Sequence, residues 1–326
     1  MTLPRRRFLA SALTAPALLS ATQSMAQDVS QQAAPPHGSF QRFFVGDIEV
    51  IALWDGYTPL PNAIITGFDA DVAKAAARTA YRTFDPAATA VSINGYIIKT
   101  AGKIIAVDTG APAAMAPTVA QWSASLALAG LTLDQIDAVF VTHMHGDHVG
   151  GLVDLKTGGA TMPDAELIAA QAEWDFTFSD EVYAALPEGF RANFDFSRLA
   201  VSSYKPRFNG ITMDKETDIA SGVQAIPLPG HTPGHMGLRI HQGGEQLLIW
   251  GDAIHFAAYQ FMRPDWGVLF DADVEQAVKS RRRVLGEAAA DRLRVAGMHL
   301  DFPAVGYVEA DNDSYRYIPS ATDLRI

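Results

Sequence analysis

The residues best suited to chemistry stand together. His143, His145, Asp147 and His148 fall within the run Thr142-His143-Met144-His145-Gly146-Asp147-His148. Imidazole is the commonest nitrogen donor to zinc, and carboxylate oxygens bind zinc and harder divalent ions. Side chains two apart on extended backbone leave on the same face, which pairs His143 with His145. Gly146 then lets the chain turn, so that Asp147 and His148 reach a second position. A solvated histidine-rich loop is the bland alternative. Three of the nine histidines lie in this run, and His231 and His299 follow short apolar stretches just as the run itself does, which tells against that alternative.

Counting donors sharpens the expectation. His143, His145 and His231 would give one ion three neutral imidazoles. Asp147, His148 and His299 would give a second ion a carboxylate and two imidazoles, and Asp252 could bridge both. Three protein donors with a position left open is the pattern of a catalytic site. Two ions roughly 3.5–4 Å apart can hold a hydroxide between them, because bound water loses its proton near pH ~7. The chain contains no cysteine, so histidine and carboxylate must do any such work, and no disulfide framework exists.

The elements that must position these residues read as strands ending in loops. Residues 43–53 form an expected first strand, followed by a turn at Trp54-Asp55-Gly56. Residues 70–81 read as a helix, 91–99 and 103–107 as a hairpin, and 117–129 as a helix closed by Gly130. Strand 136–141 leads into the metal loop. Strand 165–170 and a helix start at 171–178 come next, then an irregular aromatic stretch over 179–198. Strand 223–228 leads to Pro229-Gly230-His231-Thr232-Pro233-Gly234-His235. A second hairpin, 237–241 with 246–250, ends in Gly251-Asp252. Helix 272–286, strand 293–296 before His299, and a final edge strand at 315–318 complete the series. Two runs of strands, each followed by helices, predict an α/β chain with two packed sheets and helices outside. Loops from one rim would bring the ligands together.

Composition narrows the class of protein. The 326 residues are 48% hydrophobic and 19% charged, enough for a full core, and the net charge is −11. An acidic surface argues against nucleic acid and anionic membrane as partners and leaves a small molecule. Arg281-Arg282-Arg283 falls in a helical pattern and reads as a solvated face. Residues 1–26 read as a twin-arginine export signal, with Arg5-Arg6-Arg7, a short apolar stretch and a small-residue cleavage site at Ser24-Met25-Ala26. This predicts a periplasmic or secreted protein. Residues 27–38 read as a flexible linker and 39–326 as one catalytic domain.

The combined pattern resembles the metallo-β-lactamase superfamily. The motif from His143 to His148, the Pro229–His235 segment, Gly251-Asp252, His299 and the loop Val107-Asp108-Thr109-Gly110 carry the resemblance, which runs from about residue 43 to 318. It implies a four-layer αββα sandwich with two mixed sheets and a dinuclear centre, most simply of zinc, with cobalt, manganese or iron as alternatives. It is also compatible with a homodimer. His145 in place of Glu argues against the diiron flavoprotein branch, and Asp252 in place of Cys against many β-lactamases. Within the rest, Phe44–Glu49, Asn94-Gly95-Tyr96, Val107–Ala111 and His299-Leu300 with Phe302-Pro303 resemble methyl parathion hydrolases and related lactonases.

Met115, Thr177 and Arg191 stand where that group carries bulky aromatics, and His255 stands where an apolar residue is expected. The expected reaction is therefore opening of a lactone or aryl ester by a bridging hydroxide, with phosphotriesters as side substrates. A phosphotriesterase, a glyoxalase II-like thioesterase, a β-lactamase or a non-catalytic metal-binding protein are the rivals. Asp147, Asp252 and His255 are the candidate proton donors to the leaving group. Met115, Phe176, Phe178, Phe190, His255 and Trp266 are the candidate pocket residues. Asp108 is expected to support the metal loop, and His235 to play a structural part.

Overall fold

The computed structural model describes residues 38–321, so the expected export signal and nearly all of the linker lie outside the described residues. The first expected strand is a hairpin instead. β1 (Ser39–Val45) and β2 (Ile48–Pro61) pair antiparallel, with Val45 opposite Ile48. Gly46, at φ 58°, makes the turn between them, a conformation that glycine reaches without a side-chain clash. β2 runs straight through the expected turn at Trp54-Asp55-Gly56, which is a bulge against β4 (Ala88–Thr100). β4 forms the expected hairpin with β5 (Lys103–Val107). Then β6 (Ala138–Phe140), β7 (Glu166–Ala170) and β8 (Phe208–Ile211) add in parallel. The first sheet has the order β1-β2-β4-β5-β6-β7-β8.

The second sheet takes β9 (Thr217–Ala220), β10 (Val223–Pro227), β11 (Met236–Gln242), β12 (Glu245–Ile249), β14 (Arg294–Ala296), β15 (Val305–Asp311) and β16 (Ser314–Pro319), with β16 at one edge. Only the pairing of β12 with β14 is parallel within it. A short ribbon pairs β3 (Ile65–Thr66) with β13 (Gly267–Val268).

Alternation along the strands explains the layers. Val50 and Ala52 of β2, Tyr96 and Ile98 of β4, and Ile105 and Val107 of β5 point inward. There they meet Ala225, Leu238, Ile249 and Val295 of the second sheet. The intervening Ile51, Leu53, Ile97 and Ala106 face the other way, against Trp122, Leu126, Ala200 and Val201. A period of two on strands buried on both faces gives a sheet with a core on each side. The helix Val274–Ala290 brings Val284, Leu285 and Ala288 onto the second sheet. The result is the expected αββα sandwich.

Two helical expectations need correction. The helix expected over 117–129 begins only at Trp122 and ends at Leu128. Ala120 sits at φ 66°, and the Asp55 carboxylate accepts the N–H groups of Ala120 and Trp122, which holds the preceding residues as a loop. The stretch over 179–198 is helical rather than irregular. Ser179 caps Asp180–Ala185 by accepting from the Val182 N–H, and Pro187 opens Glu188–Ser202. Ala200 and Val201 bury that second helix against the first sheet.

Candidate metal centre

One loop of the first sheet and three of the second meet at one rim. The loop after β6 supplies His143, His145, Asp147 and His148, the last two on the short turn Gly146–Val149. His231 follows β10, Asp252 follows β12 and His299 follows β14. The structure thus brings all seven expected ligands to one place. They form two groups with Asp252 between them.

The first group is made of nitrogen alone. His143 Nε2 lies 2.9 Å from His145 Nδ1, and His231 Nε2 lies 3.1 Å from the former and 3.0 Å from the latter. His231 Nδ1 bonds Asp271 Oδ1 at 2.8 Å, so its proton sits there and Nε2 turns a lone pair into the group. The second group mixes charge. Asp147 Oδ2 is 3.7 Å from His148 Nε2 and 3.6 Å from His299 Nε2. His148 Nδ1 bonds Asp108 Oδ2 at 2.7 Å, and His299 Nδ1 donates to the Ser92 carbonyl at 2.8 Å, so both also aim Nε2 inward. Asp252 Oδ1 lies 3.2 Å from His148, while Oδ2 lies 3.4 Å from His231 and 3.2 Å from His299.

This arrangement fits divalent cations. His148 Nε2 and Asp252 Oδ1 are buried without a hydrogen-bond partner, and buried polar atoms are ordinarily satisfied. Three imidazole nitrogens within 3.1 Å of each other cannot all be joined by protons when one ring holds its proton elsewhere. A cation accepts every one of those lone pairs. Hydrogen bonds outside the cluster orient the rings of His143, His148, His231 and His299 as this requires, as orienting partners do for ligating histidines.

Electrostatics separate the groups further. Burial, reinforced by neighbouring imidazoles, lowers His145 to about 3 and holds His143 well below the ordinary histidine range. Burial lowers His231 to about 4 against the pull of Asp271. Burial acts the same way on His148 and His299, but Asp252 and Asp147 outweigh it and both are raised. Burial would raise Asp252, yet His148, His299 and His143 hold it well below the usual carboxylate range.

Other expectations divide. Asp108 supports the metal loop as expected, accepting from the Thr142 N–H and hydroxyl at 2.8 Å each. His235 plays the structural part expected of it, donating from Nδ1 to the Leu228 carbonyl and accepting the Asp252 N–H at Nε2. His255 is buried beside the centre, its Nε2 3.1 Å from Asp252 Oδ2 and neither ring nitrogen hydrogen-bonded. Met115 is 40% exposed and reaches the vicinity of Gly146, at the mouth of the centre.

Phe178 stacks on Trp174 in the outer core of the first sheet, and Trp266 is buried among Ile65, Phe256 and Tyr259. Both are core packing where pocket lining was expected, because each helix or loop turns its aromatic face inward. Phe176 packs edge-on to Phe194, and Phe190 is exposed. Thr177 is buried, and Arg191 lies over Tyr183.

Two aromatic side chains outside the expected pocket set stand beside the centre. Phe270 stands 5.4 Å from His255 and 5.8 Å from His231 between ring centres, and Phe196 lies close against Gly146. Asp271 was also missed. Its place directly after Phe270, in a loop with no local motif, gives no sequence signal of its own.

Comparison with known proteins agrees with this architecture. The family model of the metallo-beta-lactamase superfamily matches residues 88–293, so the chain belongs to that superfamily. Among solved structures, AidC, a dizinc quorum-quenching lactonase in complex with the product N-hexanoyl-L-homoserine, superposes with a TM-score of 0.81. It is 26% identical, with 88% of this chain and 99% of that one covered. The hydrolase AbOPH of the beta lactamase superfamily superposes at 0.80 with 25% identity, covering 87% and 98%. A beta-lactamase-like protein 2 homolog of Caenorhabditis elegans is 25% identical over 162 residues, 49% of this chain. The matched part spans 44% of that curated relative's length.

Proposed function

We propose that this superfamily hydrolase opens lactones, and with them aryl esters, at a centre of two divalent ions, most simply zinc. The observation that carries the reading is the convergence of six imidazole and carboxylate side chains on Asp252, with lone pairs turned inward and no partner among themselves for His148 Nε2 or Asp252 Oδ1. His143, His145 and His231 would hold one ion and Asp147, His148 and His299 the other, with Asp252 shared. When bound, such ions polarise a carbonyl or phosphoryl oxygen and acidify water.

The protein's own part is positional and protonic. Asp147 is half-buried on the open side, and His148 and His299 keep it ionised at rest. It can therefore accept a proton, at the carboxylate oxygen not turned to His148 and His299, as water attacks the ring carbonyl, and return it to the departing alkoxide. Asp252, held further below its usual range, is the weaker donor. His255 always carries one ring N–H and can hydrogen-bond an oxygen placed beside Asp252. Met115, Phe196 and Phe270 border the mouth with apolar surface suited to an acyl or aryl group.

The likeness to AidC supports a lactone over other acyl substrates. Phosphotriester hydrolysis is the side activity, since a pentacoordinate phosphorus also places its negative charge between the two groups. The twin-arginine pattern supports a periplasmic location for the folded, metal-loaded protein.

The deciding experiment is kcat/KM on one zinc-loaded preparation for an acyl-homoserine lactone, an aromatic lactone and methyl parathion. A marked preference for either lactone is the expected result. A preference for methyl parathion would make phosphotriester hydrolysis primary and overturn the assignment.

A further inference from the structure

Outside the ligands, Glu173 is a charged side chain placed where the loops of the centre meet. It sits in the first turn of the helix Gln171–Phe178 and is 1% exposed. Its Oε1 accepts the Met144 N–H at 2.9 Å, between His143 and His145 in the chain. Its Oε2 accepts the Thr232 hydroxyl at 2.5 Å and the Gly234 N–H at 3.2 Å, both just past His231. The second loop is pressed against the helix itself, for a Cβ on Gly234 would lie 2.3 Å from the Glu173 nitrogen. All three donors are uncharged. A carboxylate buried this way is held by accepting hydrogen bonds alone, and it offers the acceptor capacity for all three at once. An amide of the same shape does not, because its NH2 meets one of the backbone donors.

We infer that Glu173 is a positioning residue that sets the spacing of His143 and His145 from His231 by clamping their two loops together. The inference rests on the reading of those histidines as metal ligands. It goes beyond that reading by assigning the fit of the nitrogen group to a residue that belongs to neither loop. The same clamp extends toward Asp252, because the loop it holds continues to His235, whose Nε2 receives the Asp252 N–H at 2.9 Å.

The test uses the full zinc-loaded protein, Glu173→Gln and, as a milder change, Thr232→Val. Zinc affinity is measured by competition with a chelator, and the visible spectrum is recorded after cobalt substitution. Glu173→Gln should weaken one zinc by about 10–100-fold, alter the cobalt spectrum, and lower kcat more than it raises KM. Thr232→Val should do the same to a smaller degree, and it decides the matter where Glu173→Gln does not fold. Wild-type zinc affinity and spectrum in every folded variant, with only the melting temperature lowered, would overturn the inference and leave the metal reading intact. Wild-type protein that takes up no divalent ion would overturn the metal reading, and this inference with it.

Discussion

In His143, His145 and His231 burial wins and holds the rings below the ordinary histidine range, whereas Asp252 and Asp147 raise His148 and His299 above it. The loop from His143 to His148 feeds both groups, so the difference does not come from the motif. It comes from what each ring faces, since His231 and His148 both have a carboxylate behind them. His231 has a carboxylate behind it, on the far side from the group, while its Nε2 faces only other imidazoles and Asp252. His148 has Asp108 behind it and Asp147 and Asp252 in front. The lesson is that one motif yields two unlike sites when separate second partners are supplied. Donor type then predicts unlike ion preferences, with borderline zinc suited to the nitrogen group and harder manganese to the carboxylate group.

The largest effect that can break this comparison is expected at Asp252, the residue common to both. Asp252→Ala should lower kcat/KM by ~1,000-fold or more and reduce the content of both ions, measured by elemental analysis. Loss of one ion alone would assign Asp252 to one group and not to both. Next in size is a crossed pair of variants. Asp271→Ala should weaken the nitrogen group by about 10–100-fold in ion affinity and leave the other near wild type. Asp108→Ala should weaken the carboxylate group more than the nitrogen group, which it touches only through Thr142, whose hydroxyl also meets His143 Nδ1 at 3.1 Å. Chelator titrations of both variants check the pair. Equal weakening of both ions in each variant would show that the groups are one coupled site.

The same division separates what the sequence makes legible from what it hides. The loop from His143 to His148 announces itself because four donors share one short run, and His231, Asp252 and His299 are found because each closes an apolar strand. The sandwich follows from alternation in β2, β4 and β5. The supporting residues are silent because nothing local marks them. Glu173 looks like any acid in the first turn of a helix, and Asp271 like any loop aspartate. Their meaning appears only when residues 29 and 40 positions away are brought within hydrogen-bond reach. Phe178 and Trp266 mislead for the converse reason, since an aromatic near a motif in sequence packs wherever its own helix or loop turns it. Trp54-Asp55-Gly56 reads as a turn from residue type, but a bulge in β2 uses the same residues to aim the Asp55 carboxylate out of the ladder.

That carboxylate gives the smallest expected effect, and it bears on one side of the comparison. Asp55 accepts the N–H groups of Ala111, Ala120 and Trp122 at 3.0, 3.2 and 2.8 Å, and so fastens the segment after Asp108 to the first sheet. Burial pushes Asp55 up to about 6, with the Ala111 and Trp122 hydrogen bonds working against it. A raised carboxylate pKa means that the folded state binds the proton more tightly than the unfolded one. The contribution to stability therefore grows as pH falls from 7 toward 5, by on the order of 1 kcal/mol. Asp55→Asn cannot titrate, and its amide sets donors against donors, which costs about 1–3 kcal/mol at pH 7. The gap in stability between wild type and Asp55→Asn should thus widen as pH is lowered to 5, as read by urea midpoints at both pH values. A gap that stays constant or narrows would mean that the folded state does not raise Asp55. Where the gap does widen, ion affinity of the carboxylate group should fall in the variant more than that of the nitrogen group, because Asp108 bonds the His148 ring directly and reaches His143 only through Thr142.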